Sequence, residues 1–275
     1  MYKLRFLVLA LASAFFVFHT QAVPFADAVV NYVPGTGFAP GFVNAASALG
    51  EPSRVTTGVF GGPVDPFNPP YLNSQLVSVG SGGSLTVQFN SPISNRPEHL
   101  FGLDLIVFGN NGFTITNNDF AGGGITDGSL FTFDQPGSTR VFVSADNAAY
   151  FELVPPPGTG SAVDGLFPTD GSGDFERPVD PELINADFAG LTLAGIRAHY
   201  AGSGGGAGFD LAWAQTPGGQ SVSLDEVNYV RVEVASGRIE IDGFAAVPEP
   251  AAWALGLLGL LSLAGIQISR NRFSR

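Results

Sequence analysis

The sequence predicts an all-β fold, a β-sandwich or jelly roll, for the domain that spans residues 23–246. Three observations predict this fold class. Short runs rich in β-branched and aromatic residues recur, and several alternate apolar with polar residues as half-buried strands do. Clusters of Gly, Pro, Asn and Asp separate these runs about every ten residues, a spacing typical of sandwiches. Although it holds 37 Gly and 20 Pro, the chain is 45% hydrophobic, which is enough to build a core.

The first 22 residues are organised as a signal peptide. Lys3 and Arg5 give a positively charged start, residues 6–18 form a short apolar run, and Ala22 is a small residue at the expected cleavage position. The apolar run is too short to cross a bilayer comfortably. We expect export and cleavage after Ala22, with a buried N-terminal helix as the alternative.

Nine segments of the exported domain are predicted as strands, at residues 84–89, 104–108, 129–133, 140–144, 150–154, 191–200, 209–214, 227–234 and 238–244. The clearest pattern lies at 229–234, where valines alternate with Arg231 and Glu233. The short turn at 235–237 predicts that this segment and the next form a hairpin. One short helix is expected around 181–188. Loops rich in Gly, Pro or Asn are expected at 59–70, 110–127 and 155–181.

The exported domain is strongly acidic. It holds 23 of the 24 acidic residues, all except Glu249, against seven arginines, which gives a net charge of −16, and it has no lysine. Such a surface repels phosphate backbones, so we expect no nucleic-acid partner. The excess of carboxylates suits Ca²⁺ binding or, more simply, solubility outside the cell.

Catalytic signatures are mostly absent from the sequence. The chain has no cysteine, which excludes disulfides, thiolate catalysis and cysteine zinc sites, and it has no G-x-S-x-G or H-E-x-x-H motif. His99 and His199 are the only histidines beyond the signal peptide, so a Ser–His–Asp triad would need distant residues to meet. We expect no enzymatic activity. A secreted glycan-active hydrolase with paired carboxylates is the alternative.

The candidate metal site is a glycine-rich acidic segment. Its four carboxylates are Asp170, Asp174, Glu176 and Asp180. Carboxylate oxygens on a flexible loop can wrap a hard cation, so the segment predicts Ca²⁺ as a cofactor. The segment departs from an EF-hand, because Phe175 stands at the glycine position and Pro181 at the final glutamate position. A solvated acidic turn without metal is the alternative.

Aromatic side chains are the candidate sugar contacts. Planar rings pack against the C–H faces of sugars, and Tyr200 and Trp213 are the main candidates for stacking, with Tyr71 as a third. Aromatic residues of β domains more often belong to the core. Packing is therefore the alternative for all three.

Three carboxylates lie at the ends of predicted strands or interrupt them, namely Asp104, Asp210 and Asp242. Each could cap a turn, or the three could reach a cation at the rim of a sandwich. Turn capping is the simpler interpretation, because a carboxylate readily accepts hydrogen bonds from backbone N–H groups nearby.

The C-terminal segment 247–275 combines three elements in order. Pro248 and Pro250 prevent the following helix from extending backwards. Residues 251–268 are apolar except for Ser262 and Gln267, and as a helix they would span roughly 27 Å, about the thickness of the bilayer hydrocarbon. Arginines follow at once and hold that end on the cytoplasmic side. The sequence therefore predicts a single transmembrane helix with the domain outside.

This order of elements resembles the PEP-CTERM sorting signal of Gram-negative bacteria. The residues of the motif are Val247, Pro248, Glu249, Pro250, Arg270 and Arg272. The resemblance implies that an exosortase, a membrane transpeptidase-like enzyme, processes the tail after the secretion machinery has exported the chain. It also implies an inner-membrane-anchored precursor that becomes a cell-surface or extracellular protein. An ordinary single-span anchor is the alternative.

The exported domain itself resembles surface proteins that often carry this tail. The similar stretches are 104–110, 141–146, 208–214, 227–232 and 241–246. They suggest a sandwich like those of carbohydrate-binding modules. We therefore expect a non-enzymatic surface or matrix protein, with extracellular polysaccharide as the hypothesis for its ligand. A purely structural coat protein is the remaining alternative.

Overall fold

The computed structural model describes residues 23–59, 61–131, 138–157 and 167–248. These residues are mostly β-strand, which confirms the all-β prediction, and they include a single α-helix, α1 (Leu193–Tyr200). The strands in chain order are β1 (Ala28–Val33), β2 (Val55–Thr56), β3 (Gly62–Pro63), β4 (Val77–Gly80), β5 (Ser84–Ser94), β6 (Leu105–Gly109), β7 (Gly112–Ile115), β8 (Thr126–Phe131), β9 (Ser138–Ser144), β10 (Phe151–Leu153), β11 (Ala207–Phe209), β12 (Ala214–Gln215), β13 (Glu226–Ser236) and β14 (Arg238–Ala246). Short 3₁₀ turns lie at Ala45–Ala48, Leu100–Gly102, Asn185–Phe188 and Leu211–Trp213.

Two large sheets form the body of the fold. One has six strands in the order β1-β5-β13-β9-β10-β12, and the other has four in the order β11-β6-β14-β4. Two small hairpins, β2-β3 and β7-β8, lie outside them. All of these strand pairs are antiparallel.

Both large sheets contribute to one hydrophobic cluster, the main core. The six-stranded sheet supplies buried residues that include Val87, Val143 and Val230, and the four-stranded sheet supplies Val107 and Ile241. Burial of this apolar surface is the largest favourable contribution to folding, at about 25 cal/mol for each Å² removed from water. The alternating valines predicted for β13 point into this cluster.

The four-stranded sheet is covered on both faces. Along β6, Leu105 and Val107 lie in the main core, whereas Ile106 and Phe108 lie in a second cluster with Phe175 on the opposite face. Successive residues of a strand point to opposite faces of the sheet. Because both faces are buried at β6, the sequence of this strand is continuously apolar. The outer face of this sheet is therefore built over by loops.

The predicted hairpin between β13 and β14 is wrong. Gly237 joins the two strands, but β13 belongs to the six-stranded sheet and β14 to the four-stranded sheet. Gly237 has a φ of 74°, a left-handed conformation that glycine adopts at little cost. The single residue therefore connects the two sheets, and apolar residues of both strands belong to the main core.

The predicted strand at 191–200 is also wrong, because its C-terminal part forms helix α1. Thr192 accepts a hydrogen bond from the Gly195 N–H as the N-cap, and Ala201 ends the helix in a left-handed conformation with φ 50°. Ile196 and Tyr200, four residues apart, form its buried face. The helix expected around 181–188 is reduced to the 3₁₀ turn Asn185–Phe188.

Two further strand assignments need correction. The segment predicted as one strand at 209–214 is broken by the 3₁₀ turn Leu211–Trp213, for which Asp210 is the N-cap. The sequence pattern does not predict strands β1 and β4, which lie at edges of the large sheets, and β4 is too short to show a period. The loop predicted at 110–127 is wrong in part, because strand β7 lies within it.

The two ends of the described chain lie together. The Ala246 N–H donates to the Pro24 carbonyl at 2.6 Å, and Phe25 forms an antiparallel bridge with Ala245. The Val247 N–H donates to the Asp104 carbonyl at 2.9 Å. Among the described residues, Val247 is therefore the last that donates a backbone hydrogen bond to the body of the fold.

Within residues 23–59, 61–131, 138–157 and 167–248, no helix is long and apolar enough to cross a membrane. The predicted signal peptide at 1–22 and the predicted span at 251–268 lie outside the described residues.

Candidate functional site

The acidic segment predicted to hold Ca²⁺ contains an ion pair instead. Asp170 Oδ2 lies 2.7 Å from Arg197 Nε, and its Oδ1 lies 3.0 Å from Arg197 Nη2. The Ser172 hydroxyl donates to the same carboxylate at 2.7 Å. Burial alone would raise the pKa of Asp170, but the hydrogen bonds from Arg197 and Ser172 outweigh it and hold that pKa below its ordinary value.

A second arginine, Arg54, donates hydrogen bonds to two carbonyl oxygens of the same segment. Arg54 Nη1 donates to the Gly171 carbonyl at 2.6 Å and to the Gly173 carbonyl at 3.1 Å. Its guanidinium also lies over the Phe175 ring, 4.4 Å from the ring centre. Backbone carbonyls are typical Ca²⁺ ligands, so Arg54 supplies the positive charge that a cation would have brought.

Of the other three carboxylates of the segment, two cap turns, and Glu176 lines a small cavity where the two chain ends meet. Asp174 accepts from the Glu176 N–H at 2.9 Å, and Asp180 accepts from the Glu182 N–H at 2.9 Å. Among the described residues, no three His, Cys, Asp or Glu side chains come together as a group that could hold a metal. The prediction of one Ca²⁺ site formed by Asp170, Asp174, Glu176 and Asp180 is therefore corrected.

Tyr200 is a core residue and does not present its ring to a ligand. It is 1% exposed, and its hydroxyl donates to the Pro168 carbonyl at 2.8 Å. Its ring meets Phe167 and Phe188 edge-on, with centres 6.2 and 6.0 Å away. A ring buried among other rings cannot stack on a sugar, so the stacking prediction is wrong for Tyr200.

Trp213 is half-buried and packs against the main core. Its ring centre lies 6.4 Å from that of Phe209 in an edge-to-face arrangement. Its carbonyl accepts a hydrogen bond from the Val154 N–H. The contact with Phe209 favours the packing alternative for Trp213.

The three strand-end carboxylates bind backbone groups. Asp104 is buried and accepts from the Leu211 N–H at 2.9 Å, while Nδ1 of His99 lies 2.7 Å from its other oxygen. Burial raises the pKa of Asp104, against the effect of these hydrogen bonds. Asp210 accepts from the Ala212 N–H at 2.7 Å as a helix cap. The contacts favour the turn-capping interpretation.

A cavity of about 350 Å³ opens on the outer face of the four-stranded sheet, and we call it the β14 cavity. Its lining combines an apolar wall with planar polar side chains, and the residues are Ala39, Phe42, Tyr71, Asn110, Arg238 and Glu240. Arg238 and Glu240 are two residues apart on β14, so both point away from the main core that receives Ile239. Asn110 follows the end of β6, the neighbour of β14.

Hydrogen bonds to the edge strand β4 hold the apolar wall of the β14 cavity. The Ser78 N–H donates to the Phe42 carbonyl at 2.8 Å, and the Ser78 hydroxyl accepts from the Ala39 N–H at 2.9 Å. Ser78 is paired with Glu240 in the sheet register. The wall is therefore fixed relative to the polar residues of β14, and the edge of β4 is covered at the same time.

The polar side of the β14 cavity is a buried hydrogen-bonded group. Asn110 Nδ2 donates to Glu240 Oε2 at 2.5 Å, and the two residues are 1% and 5% exposed. Burial raises the pKa of Glu240, while the positive charge of Arg238 and the Asn110 bond act in the opposite direction. Among the described residues, Asn110 Oδ1 has no hydrogen-bond partner although it is buried. Such an acceptor is costly unless a ligand or water satisfies it.

A smaller cavity of about 210 Å³ lies where the two chain ends meet. Its lining includes Val23, Pro24, Glu176, Val247 and Pro248. Val247 is 7% exposed, whereas Pro248 is exposed. The remaining residues of the predicted sorting motif lie outside the described residues, namely Glu249, Pro250, Arg270 and Arg272.

The sequence singles out only Tyr71 among the residues that line the β14 cavity. The others come together because β6, β14 and the segment after β1 meet at one sheet, which no local pattern shows. One signal could have identified Asn110, because this amide follows directly on a continuously apolar strand. A polar residue in that position is placed by a buried strand and is a candidate for a ligand contact.

Comparison with protein-family models found no family that matches the chain, and comparison with curated proteins found no similar sequence.

Proposed function

We propose that the protein is an exported surface protein, sorted by an exosortase, whose domain is a β-sandwich that binds extracellular polysaccharide without catalysing a reaction. The predicted signal peptide supports export, and the tail at 247–275 supports sorting. Each has its elements in the order that a signal of its kind requires. The main core shared by the two large sheets supports the sandwich.

The β14 cavity is the observation that carries the binding proposal. Tyr71 and Phe42 offer aromatic surface for the C–H face of a sugar ring, and Asn110 and Glu240 offer planar polar groups for its substituents. A mainly apolar cavity with a few placed polar groups is the usual form of a small-ligand site. Weak affinity at one site would be raised by many copies on one surface.

Retention of the full-length chain on immobilised exopolysaccharide from the producing bacterium tests this proposal. The Tyr71→Ala variant should lose about tenfold in affinity, because one stacked ring contributes on the order of 1 kcal/mol. Phe120→Ala is the matched control, since Phe120 is 75% exposed and does not line the cavity. It should bind as the unchanged chain does.

The other outcomes of this experiment separate the alternatives. Release of reducing sugar ends would move the protein to the hydrolase class. Absence of retention on any native polymer would leave a structural coat protein. Equal loss of binding in both variants would show that the β14 cavity is not the site.

Deletion of residues 249–275 tests the sorting proposal separately. This deletion removes the predicted span and the arginines but keeps Val247 and Pro248, which belong to the described fold. Export should continue, while membrane retention and processing should stop. A truncated chain that still fractionates with the membrane would contradict the role of the tail.

A further inference from the structure

The chemistry of the β14 cavity narrows the class of sugar that it would take. Asn110 Oδ1 is a buried acceptor without a partner among the described residues, and it lies on a residue that lines the cavity. It requires a donor from whatever occupies the site. This inference rests on the proposed function, because it identifies the ligand of the same cavity.

An acidic sugar does not match the β14 cavity. A carboxylate has no proton to donate to Asn110 Oδ1, and it would approach the carboxylate of Glu240. Arg238 lies in the same cavity, but its positive charge acts on Glu240, so the site has no excess positive charge. The net charge of −16 on residues 23–246 adds to the repulsion.

The apolar wall distinguishes an amide from a simple hydroxyl. A hydroxyl could donate to Asn110 Oδ1, but it brings no apolar group to the surface that Ala39 and Phe42 form. An acetamido group brings both, because its N–H donates and its methyl is apolar. We propose that the β14 cavity binds a sugar residue carrying an acetamido group, with the N–H on Asn110 Oδ1 and the methyl against Ala39 and Phe42.

Calorimetric titration of the full-length chain in detergent with two oligosaccharides of one linkage tests this inference. Chitohexaose carries an acetamido group at the position where cellohexaose carries a hydroxyl, and both are uncharged. Chitohexaose should bind about tenfold more tightly, because its acetamido methyl adds the apolar contact with Ala39 and Phe42 that a hydroxyl lacks. Equal affinities for the two hexamers would overturn the inference.

Two variants test whether chitohexaose binds in the β14 cavity. Asn110→Ala removes the acceptor, and Ala39→Val fills the space assigned to the methyl group. Ala39→Val should reduce the preference for chitohexaose to less than about threefold, whereas Asn110→Ala should weaken the binding of chitohexaose by about tenfold. Asn90→Ala, at an exposed position on β5, is the matched control and should keep the preference. If Asn110→Ala does not fold, Ala39→Val decides the question.

The native exopolysaccharide distinguishes failure of this inference from failure of the proposed function. Retention on that polymer without binding of chitohexaose would overturn the acetamido assignment alone. Absence of binding to the polymer and to both hexamers would overturn the assignment and the binding proposal together.

Discussion

Asp242 accepts two hydrogen bonds from Ser53, which is 189 residues earlier in the chain. The Ser53 N–H donates to Asp242 Oδ2 at 2.8 Å, and its hydroxyl donates to Oδ1 at 2.7 Å. The carboxylate lies at the bulge of β14 between Ile241 and Gly243 and is 2% exposed. Burial raises its pKa to about 7, although both bonds from Ser53 oppose that shift.

The first prediction is a stability that falls as the pH rises. Between about pH 4 and pH 7 the folded carboxyl of Asp242 holds a proton that the unfolded chain has lost, so raising the pH lowers the free energy of unfolding, by up to about 4 kcal/mol. Asp242→Asn removes this titration and should be more stable than the unchanged chain at pH 8 but not at pH 4. Urea denaturation at both pH values measures the difference.

The control for this prediction is Asp225→Asn, because Asp225 is exposed and lies outside the bulge. It should leave the change between the two pH values as it is in the unchanged chain. An Asp242→Asn variant with the same pH dependence as the unchanged chain would refute the assignment to Asp242.

The second prediction concerns the Asp170–Arg197 ion pair, which is buried on one side only. The side chain of Asp170 is 2% exposed and that of Arg197 is 39% exposed. Arg197→Met leaves a buried carboxylate without its cation and should lower stability by about 2 kcal/mol. Asp170→Asn leaves an arginine that water can solvate and should cost less. Denaturation midpoints of both variants compare the costs, and the reverse order would contradict this account.

The third prediction is that Ca²⁺ leaves the melting temperature unchanged. Arg54 and Arg197 already bind oxygens of the acidic segment that a cation would need. A ligand that binds only the folded state raises the melting temperature, so thermal unfolding with chelator and with millimolar Ca²⁺ measures binding directly. A clear rise with Ca²⁺ would restore a metal site elsewhere in the chain or in this segment.

The fourth prediction separates two truncations that differ by two residues. A chain ending at Pro248 keeps the Val247 bond to the Asp104 carbonyl and the packing of Val247 in the second cluster. A chain ending at Ala246 loses both, about 2 kcal/mol in total. Its melting temperature should therefore be about 6 °C lower than that of the longer chain. Equal melting temperatures would show that the fold ends before Val247.

The parts of the fold that could be predicted from sequence are those in which apolar residues follow a regular pattern over a short stretch of chain. In β13 the valines alternate with polar residues, and in β6 the run is continuously apolar, so the sequence predicts both segments as strands. Helix α1 is only eight residues long, and Leu191 and Leu193 before its buried face imitate the alternation of a strand. Which sheet receives β14 depends on distant strands and has no local signature.

The candidate sites also depend on residues that are distant in sequence. The acidic segment has the composition of a cation loop, but the arginines that close it, Arg54 and Arg197, lie outside the segment in sequence. The β14 cavity is assembled from four separate parts of the chain. Tyr71 could be proposed from its type alone, whereas Asn110 becomes significant only when Glu240 lies beside it.

Strand β14 carries the cavity at one end and the exit of the chain at the other. Glu240 lines the cavity near its start, and Ala246 leads to Val247 at its end. A pull between a sugar polymer held in the cavity and a tether beyond Val247 would therefore run along this one strand. Its hydrogen bonds to β4, β6 and Phe25 lie across that direction and would share the load rather than open one by one. The proposed surface attachment would therefore load β14 in shear, across all of these hydrogen bonds at once.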